Sequence, residues 1–117
     1  MFQPGRYGRG SGWIEACLLC LLKEEKSYGY SLMEKLNTLG FTAEPFNISV
    51  IYRNLRSMEK RRLVASFWTA SERGPDKRMY EITQKGEKAL KEWIRFLKKR
   101  QKLLQAVVDK YESMHLE

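Results

Sequence analysis

The stretch that most constrains this chain is Asn47 to Val64, NISVIYRNLRSMEKRRLV. At helical spacing Ile48, Ile51, Tyr52, Leu55 and Met58 share one face, and Leu63 and Val64 close the segment. The opposite face carries Ser49, Arg53, Asn54, Arg56, Ser57 and Lys60. Asn47 suits an N-cap, because its short side chain can accept a bond from an orphan amide of the first turn. The pattern predicts a helix with one side bound to a core. The other side offers hydroxyl, amide and guanidinium groups, the donors that read base edges and phosphates. An ordinary solvated face has the same composition, so the flanking segments decide between the two.

Upstream, Trp13 to Lys23 (WIEACLLCLLK) is apolar nearly all round and predicts a helix buried on most sides. Ser27 reads as the cap of a second helix, Tyr28 to Leu39, with Leu32, Met33, Leu36 and Leu39 inward and Gly40 as its stop. A short loop with Pro45 leads into Asn47. Three helices in about fifty residues, the third polar outward, is the order of a helix-turn-helix unit.

Downstream the period changes. ASFWTAS and KRMYEIT are rich in aromatic and β-branched residues, with the turn signal ERGPD between them. They predict a hairpin, a wing, with Arg73, Lys77 and Arg78 at its tip. Two strands alone are marginal, so the hairpin is expected to lean on the helices through Leu63, Phe67, Tyr80 and Ile82. Thr83 then caps a final helix from about Gln84 to near His115. Leu90, Ile94, Leu97, Gln101, Leu104, Val108 and Tyr111 recur along it at four-then-three spacing, with Trp93 at the edge of the stripe. At about 45 Å such a helix outruns so small a core, and a second copy of the chain is the simplest cover for its seam. Gln101 within the seam would cost stability and fix register. The run Lys98 to Lys102 reads as a solvated face.

The fold class expected is mainly α with a small β-hairpin: a winged helix-turn-helix plus one long C-terminal dimerisation helix. Residues 1–12 form a Gly-rich tail with Arg6 and Arg9, 13–83 the DNA-binding domain and 84–117 the dimerisation helix. The tail reads as frayed, or in the sharper alternative as a basic arm that touches phosphate. The net charge of +8 points to a polyanionic partner. It avoids the first helices, since residues 13–46 carry −2, whereas 47–83 and 84–117 carry +4 each. No apolar run approaches the ~20 residues that span a bilayer, and MFQPGRYGRGSG lacks the apolar core of a signal peptide, so a cytoplasmic protein is expected.

Catalysis has little support. With His115 as the one histidine, neither a His-based triad nor a multi-His metal site can be assembled, and GRYGRG follows no strand. Glu24 and Glu25 are adjacent on a helix and point different ways. Cys17 and Cys20 have a metal-like spacing without two further ligands, and sit within an apolar run where both are expected to serve as core hydrophobes. No metal or cofactor is expected.

Tyr28-Gly29-Tyr30, Ile51-Tyr52 with Leu55 and Met58-Glu59, Leu63-Val64, and Tyr80-Glu81-Ile82-Thr83-Gln84-Lys85-Gly86 together resemble the PadR family of bacterial transcriptional regulators, over about residues 14 to 92. A single C-terminal helix is the form of its short subfamily. The resemblance implies a ligand-relieved repressor that binds an inverted repeat as a homodimer. It implies that Tyr52 meets phosphate. Ser49 and Val50 stand where the family usually has Gly-Thr, and Arg62 where a glycine usually ends the third helix, so the turn there is expected to differ. On the reading of a dimeric repressor, Ser49, Asn54 and either Arg53 or Arg56 face the major groove, Tyr52, Lys60, Arg73, Lys77 and Arg78 hold phosphates, and Val50 counts among the DNA-binding positions. Short members place aromatic effectors at the dimer interface, which marks Trp13 and Trp93 as effector-site candidates; simple burial explains both equally well. The competing reading is a winged-helix protein-interaction module whose basic face is merely solvated.

Overall fold

A computed structural model describes residues 13–40 and 45–114. The tail 1–12, most of the loop before Pro45, and His115 lie outside the described residues. The elements run α1 (Ile14–Glu24), β1 (Ser27–Tyr28), α2 (Gly29–Leu39), α3 (Ile48–Lys60), β2 (Val64–Thr69), β3 (Lys77–Ile82) and α4 (Gln84–Glu112). Helix α1 is the hub. Ile14, Ala16, Cys17, Leu18, Leu19, Leu21 and Leu22 are all buried, so α2, α3, β3 and α4 can pack around it. The polar exception, Glu15, has a specific partner set described below.

Two caps are as expected. Asn47 accepts a bond from the Val50 amide, and Thr83 accepts one from the Gly86 amide. Gly40 ends α2 at φ 72°, left-handed backbone that glycine enters without penalty. Ser27, expected as the α2 cap, is instead buried in a two-residue strand, and Tyr28 stands at the cap position without a side-chain bond. Strand β1 pairs antiparallel with β3 (Ser27 opposite Tyr80, Tyr28 opposite Met79), which gives a three-stranded sheet in the order β1-β3-β2. The wing is thus rooted by a third strand that is too short to show a period.

Alternation across the sheet corrects a second expectation. Val64, Ser66, Tyr80 and Ile82 face the helices, and Tyr80 is 2% exposed. Phe67 pairs with Met79 on the other face, where it is 37% exposed with the Lys26 ammonium 5.6 Å over its ring. In α2, Leu32 and Leu36 are buried as expected; Leu39, at the last turn, is 57% exposed. Cys20 is exposed too, so only Cys17 is a core cysteine.

The end of α3 forms a Schellman motif. The Leu63 amide donates to the Met58 carbonyl (2.9 Å) and the Arg62 amide to that of Glu59 (3.0 Å). Arg62 occupies the left-handed position with φ 63°, the one non-glycine with positive φ among the described residues. Thr83 locks this turn to α4: its amide donates to Leu63 O, and its hydroxyl lies 2.6 Å from Arg62 O. Gly86 sits so close that a Cβ there would strike the Leu63 carbonyl oxygen.

Helix α4 has two halves. Its first three turns complete the core, with Leu90 6% and Trp93 1% exposed. The Trp93 indole N–H donates to Glu15 Oε2 (3.0 Å), and Glu15 Oε1 receives Arg61 at 2.5 Å. From Lys98 onward every described residue is exposed. Leu90 and Trp93 therefore belong to the protomer's own core rather than to a seam, because α1 already covers them. The division at 83/84 expected from the sequence cuts through that core.

Candidate nucleic-acid interface

Burial of Ile51, Leu55 and Met58 fixes how α3 is turned. Ser49, Arg53, Arg56, Ser57 and Lys60 are exposed on its outer side, with no acidic residue among them; Glu59 points towards the wing. Val50 is half-buried and packs against the core. Asn54 is half-buried as well, and its amide N–H donates to the Val50 carbonyl at 2.8 Å. That bond engages one of the side chain's hydrogen-bonding groups within its own helix.

Tyr52 explains why two separate sequence motifs occur together. A Cβ at Gly29 would lie 2.6 Å from Tyr52 Cε1 and 2.8 Å from Cζ, so the tyrosine ring rests on the start of α2 where only glycine leaves room. This contact packs α3 against the N-terminal end of α2. The loop end is held by Asn37, whose amide donates to Phe46 O (3.3 Å) while its carbonyl oxygen accepts from the Phe46 amide (2.9 Å). The sequence reading missed Asn37, since one asparagine near a helix end carries no periodic signal.

The wing is tied to α3 by a relay. Ser66 donates to Glu59 Oε2 (2.6 Å) and accepts from Arg78 Nε (2.9 Å). Arg73 is exposed in the turn at the tip, whereas Lys77 and Arg78 open β3 and so point to opposite faces of the hairpin. The Lys77 ammonium lies 5.5 Å over the Tyr28 ring, and the Arg78 guanidinium 5.2 Å over Trp68. The three cations expected at one tip are thus distributed along the wing.

Between α2, α3 and the wing runs an open groove of about 610 Å³, lined by Tyr30, Tyr52, Arg56, Trp68, Lys77 and Arg78 among others. Glu34 and Asp76 also line it. Burial raises the Tyr80 pKa above its ordinary value, so Tyr80 is a neutral phenol at neutral pH. Among the described residues no group of three or more His, Cys, Asp or Glu is placed to hold a metal ion.

Along the outer half of α4, Ile94, Leu104, Val108 and Tyr111 are 39–60% exposed, Gln101 lies among them and Leu97 is half-buried. Leu103 and Val107 widen the same apolar surface. Trp13 is half-buried against the core, and Trp93 is enclosed, in edge contact with Phe96 at 5.9 Å. No described helix is long and apolar enough to cross a membrane.

Comparison with known proteins places this geometry. Residues 18–92 match the model of the transcriptional regulator PadR-like family. A PadR-like transcriptional regulator from Bacillus cereus is 33% identical, with 83% of this chain and 92% of that one covered at a TM-score of 0.72. A regulator described as putative, from Thermoplasma acidophilum, is 26% identical over 85% of this chain and 93% of its own, at 0.73. Bacillus subtilis PadR, solved in complex with operator DNA, shares the fold at 21% identity and a TM-score of 0.63, over 69% of this chain and 46% of that one. A search of curated proteins finds no match.

Proposed function

The chain belongs to the PadR-like family of transcriptional regulators, and on that premise we propose that it is a homodimeric, ligand-responsive repressor of a pseudo-palindromic operator in the bacterial cytoplasm. The observation that carries the DNA reading is the exposed side of α3, where Ser49, Arg53, Arg56 and Lys60 stand beside a wing bearing Arg73, Lys77 and Arg78. In this reading Arg53 and Arg56 reach base edges, with Ser49 and the part of Asn54 not bonded to Val50. Lys60 and the wing cations neutralise phosphates, and Tyr52, resting on Gly29, presents its hydroxyl to the backbone. Bacillus subtilis PadR, which has the same fold, supports the reading by its operator complex.

The dimer reading rests on the exposed apolar run from Ile94 to Tyr111, which a second α4 would cover. Two copies of α3 related by a two-fold axis call for half-sites about one helical turn apart. Ligand response is supported by the family resemblance; with Trp93 enclosed, an aromatic effector would quench its emission only by opening the core around it.

The test is a salt series of binding isotherms on operator and random duplexes. Lys77→Ala should weaken both and flatten the salt dependence by about one phosphate contact per subunit. Arg53→Ala and Asn54→Ala should cost about 1–3 kcal/mol per half-site on the operator and little on random DNA. Wild-type binding to neither DNA at low salt would favour the protein-interaction module.

A further inference from the structure

Trp68 has no role in the reading above, yet it is 63% exposed, the largest exposed ring on the wing. It stands opposite Arg78 in the hairpin register, on the sheet face that also carries Ser66 and Tyr80 and is turned towards the helices. It therefore projects into the groove shared with Arg56 and Tyr52 of α3. Arg78 is held over it from two sides. The indole lies 5.2 Å below the guanidinium carbon, and Nε is fixed by Ser66, itself anchored on Glu59. A guanidinium caught through Nε keeps its two terminal nitrogens as a fork, the geometry that grips a phosphate through two parallel bonds.

We propose that Trp68 and Arg78 form a preset clamp for the sugar–phosphate backbone of duplex DNA, with the indole packed on a deoxyribose and the guanidinium fork on the adjoining phosphate. This rests on the DNA-binding reading and adds a contact to it. The chemistry favours the backbone over a base. The pair stands on the wing rather than on the groove-reading helix, and Arg56 of α3 supplies a second cation to the same groove. Glu34 and Asp76 line the groove as well, and their charge disfavours a phosphate beside them, which restricts the phosphate to the Arg78 and Arg56 side chains. The indole also removes water from one face of the guanidinium, which strengthens its bond to phosphate.

The pair predicts two separable losses. Trp68→Ala removes an apolar contact, so it should raise Kd for a random 30-base-pair duplex by about tenfold, roughly 1.4 kcal/mol, with the salt slope unchanged. Arg78→Ala should raise Kd and also lower the slope by about one ion per subunit. Tryptophan emission of the full-length protein should change on binding duplex, and Trp68→Phe, which leaves Trp13 and Trp93 in place, should abolish that change. Thermal melting checks that Trp68→Ala remains folded; if it does not, the emission experiment decides. Wild-type affinity in a folded Trp68→Ala, or an emission change that survives in Trp68→Phe, overturns the clamp while leaving DNA binding intact. Failure of the wild type to bind duplex at low salt overturns the DNA reading and the clamp together.

Discussion

Replacing Arg62 with glycine should stabilise the protein. Arg62 sits at φ 63° because the Schellman turn after α3 requires left-handed backbone at this position. A residue with a Cβ pays about 1–2 kcal/mol to stand there. Glycine removes that strain but enlarges the unfolded ensemble, which takes back roughly 0.4–1 kcal/mol. Arg62 is exposed, and no hydrogen bond or ion pair of its side chain occurs among the described residues, so little else is lost. The net gain is about 0.5–1 kcal/mol, an upward shift of roughly 2–5 °C in Tm for a domain of this size. Circular dichroism melts at one fixed protein concentration, which keeps any association constant, would measure it. Arg62→Ala is the control: it removes the same charge and long side chain but keeps the Cβ, and should melt near wild type. Arg62→Asn should fall between alanine and glycine, because asparagine tolerates left-handed backbone. A glycine variant that melts at or below the alanine variant would refute the strain argument.

Gly86→Ala should act in the opposite sense, by about 1–3 kcal/mol in urea unfolding, since its Cβ meets the Leu63 carbonyl and drives α4 from the turn. Glu15→Ala should cost about 1–3 kcal/mol by leaving the buried Trp93 N–H without its acceptor, and should shift tryptophan emission. A thiol reagent should titrate Cys20 in the native protein and reach Cys17 only in denaturant, because burial pushes the Cys17 thiol up to about 12. Cutting the chain after Gln101 should leave the core intact, since every described residue from Lys98 on is exposed, and should yield a monomer by analytical ultracentrifugation.

The helix order, the caps at Asn47 and Thr83 and the position of the wing were legible because each has a local signal: a period, a capping residue or a turn. The family resemblance marked Arg62 as unusual, and the backbone gives the reason. What sequence left hidden depends on three-dimensional neighbours. Strand β1 exists because β3 offers Ser27 and Tyr28 a free edge, and two residues cannot display alternation. Phe67 and Tyr80 look alike as aromatic strand residues, and only the pairing register sends one outward and the other into the core. On the candidate DNA face, the outward position of Arg53 and Arg56 follows from helical spacing. The return of Asn54 to Val50 and the stacking of Arg78 on Trp68 do not.

The bond between Glu15 and Trp93 joins residues 78 positions apart, near opposite ends of the described chain. Helix α1 is made first, yet Leu90 and Trp93, which cover it, are made late. At about 5–20 residues per second, the ribosome needs some 4–16 s to add the intervening segment. Throughout that interval the side of α1 that α4 covers stays bare, even where α2, α3 and β3 already pack on the rest, so the nascent chain is exposed to chaperones and to self-association until the first three turns of α4 emerge. A message broken off before codon 90 would release a product unable to close its core, one for the cell to degrade rather than a smaller DNA-binding fragment.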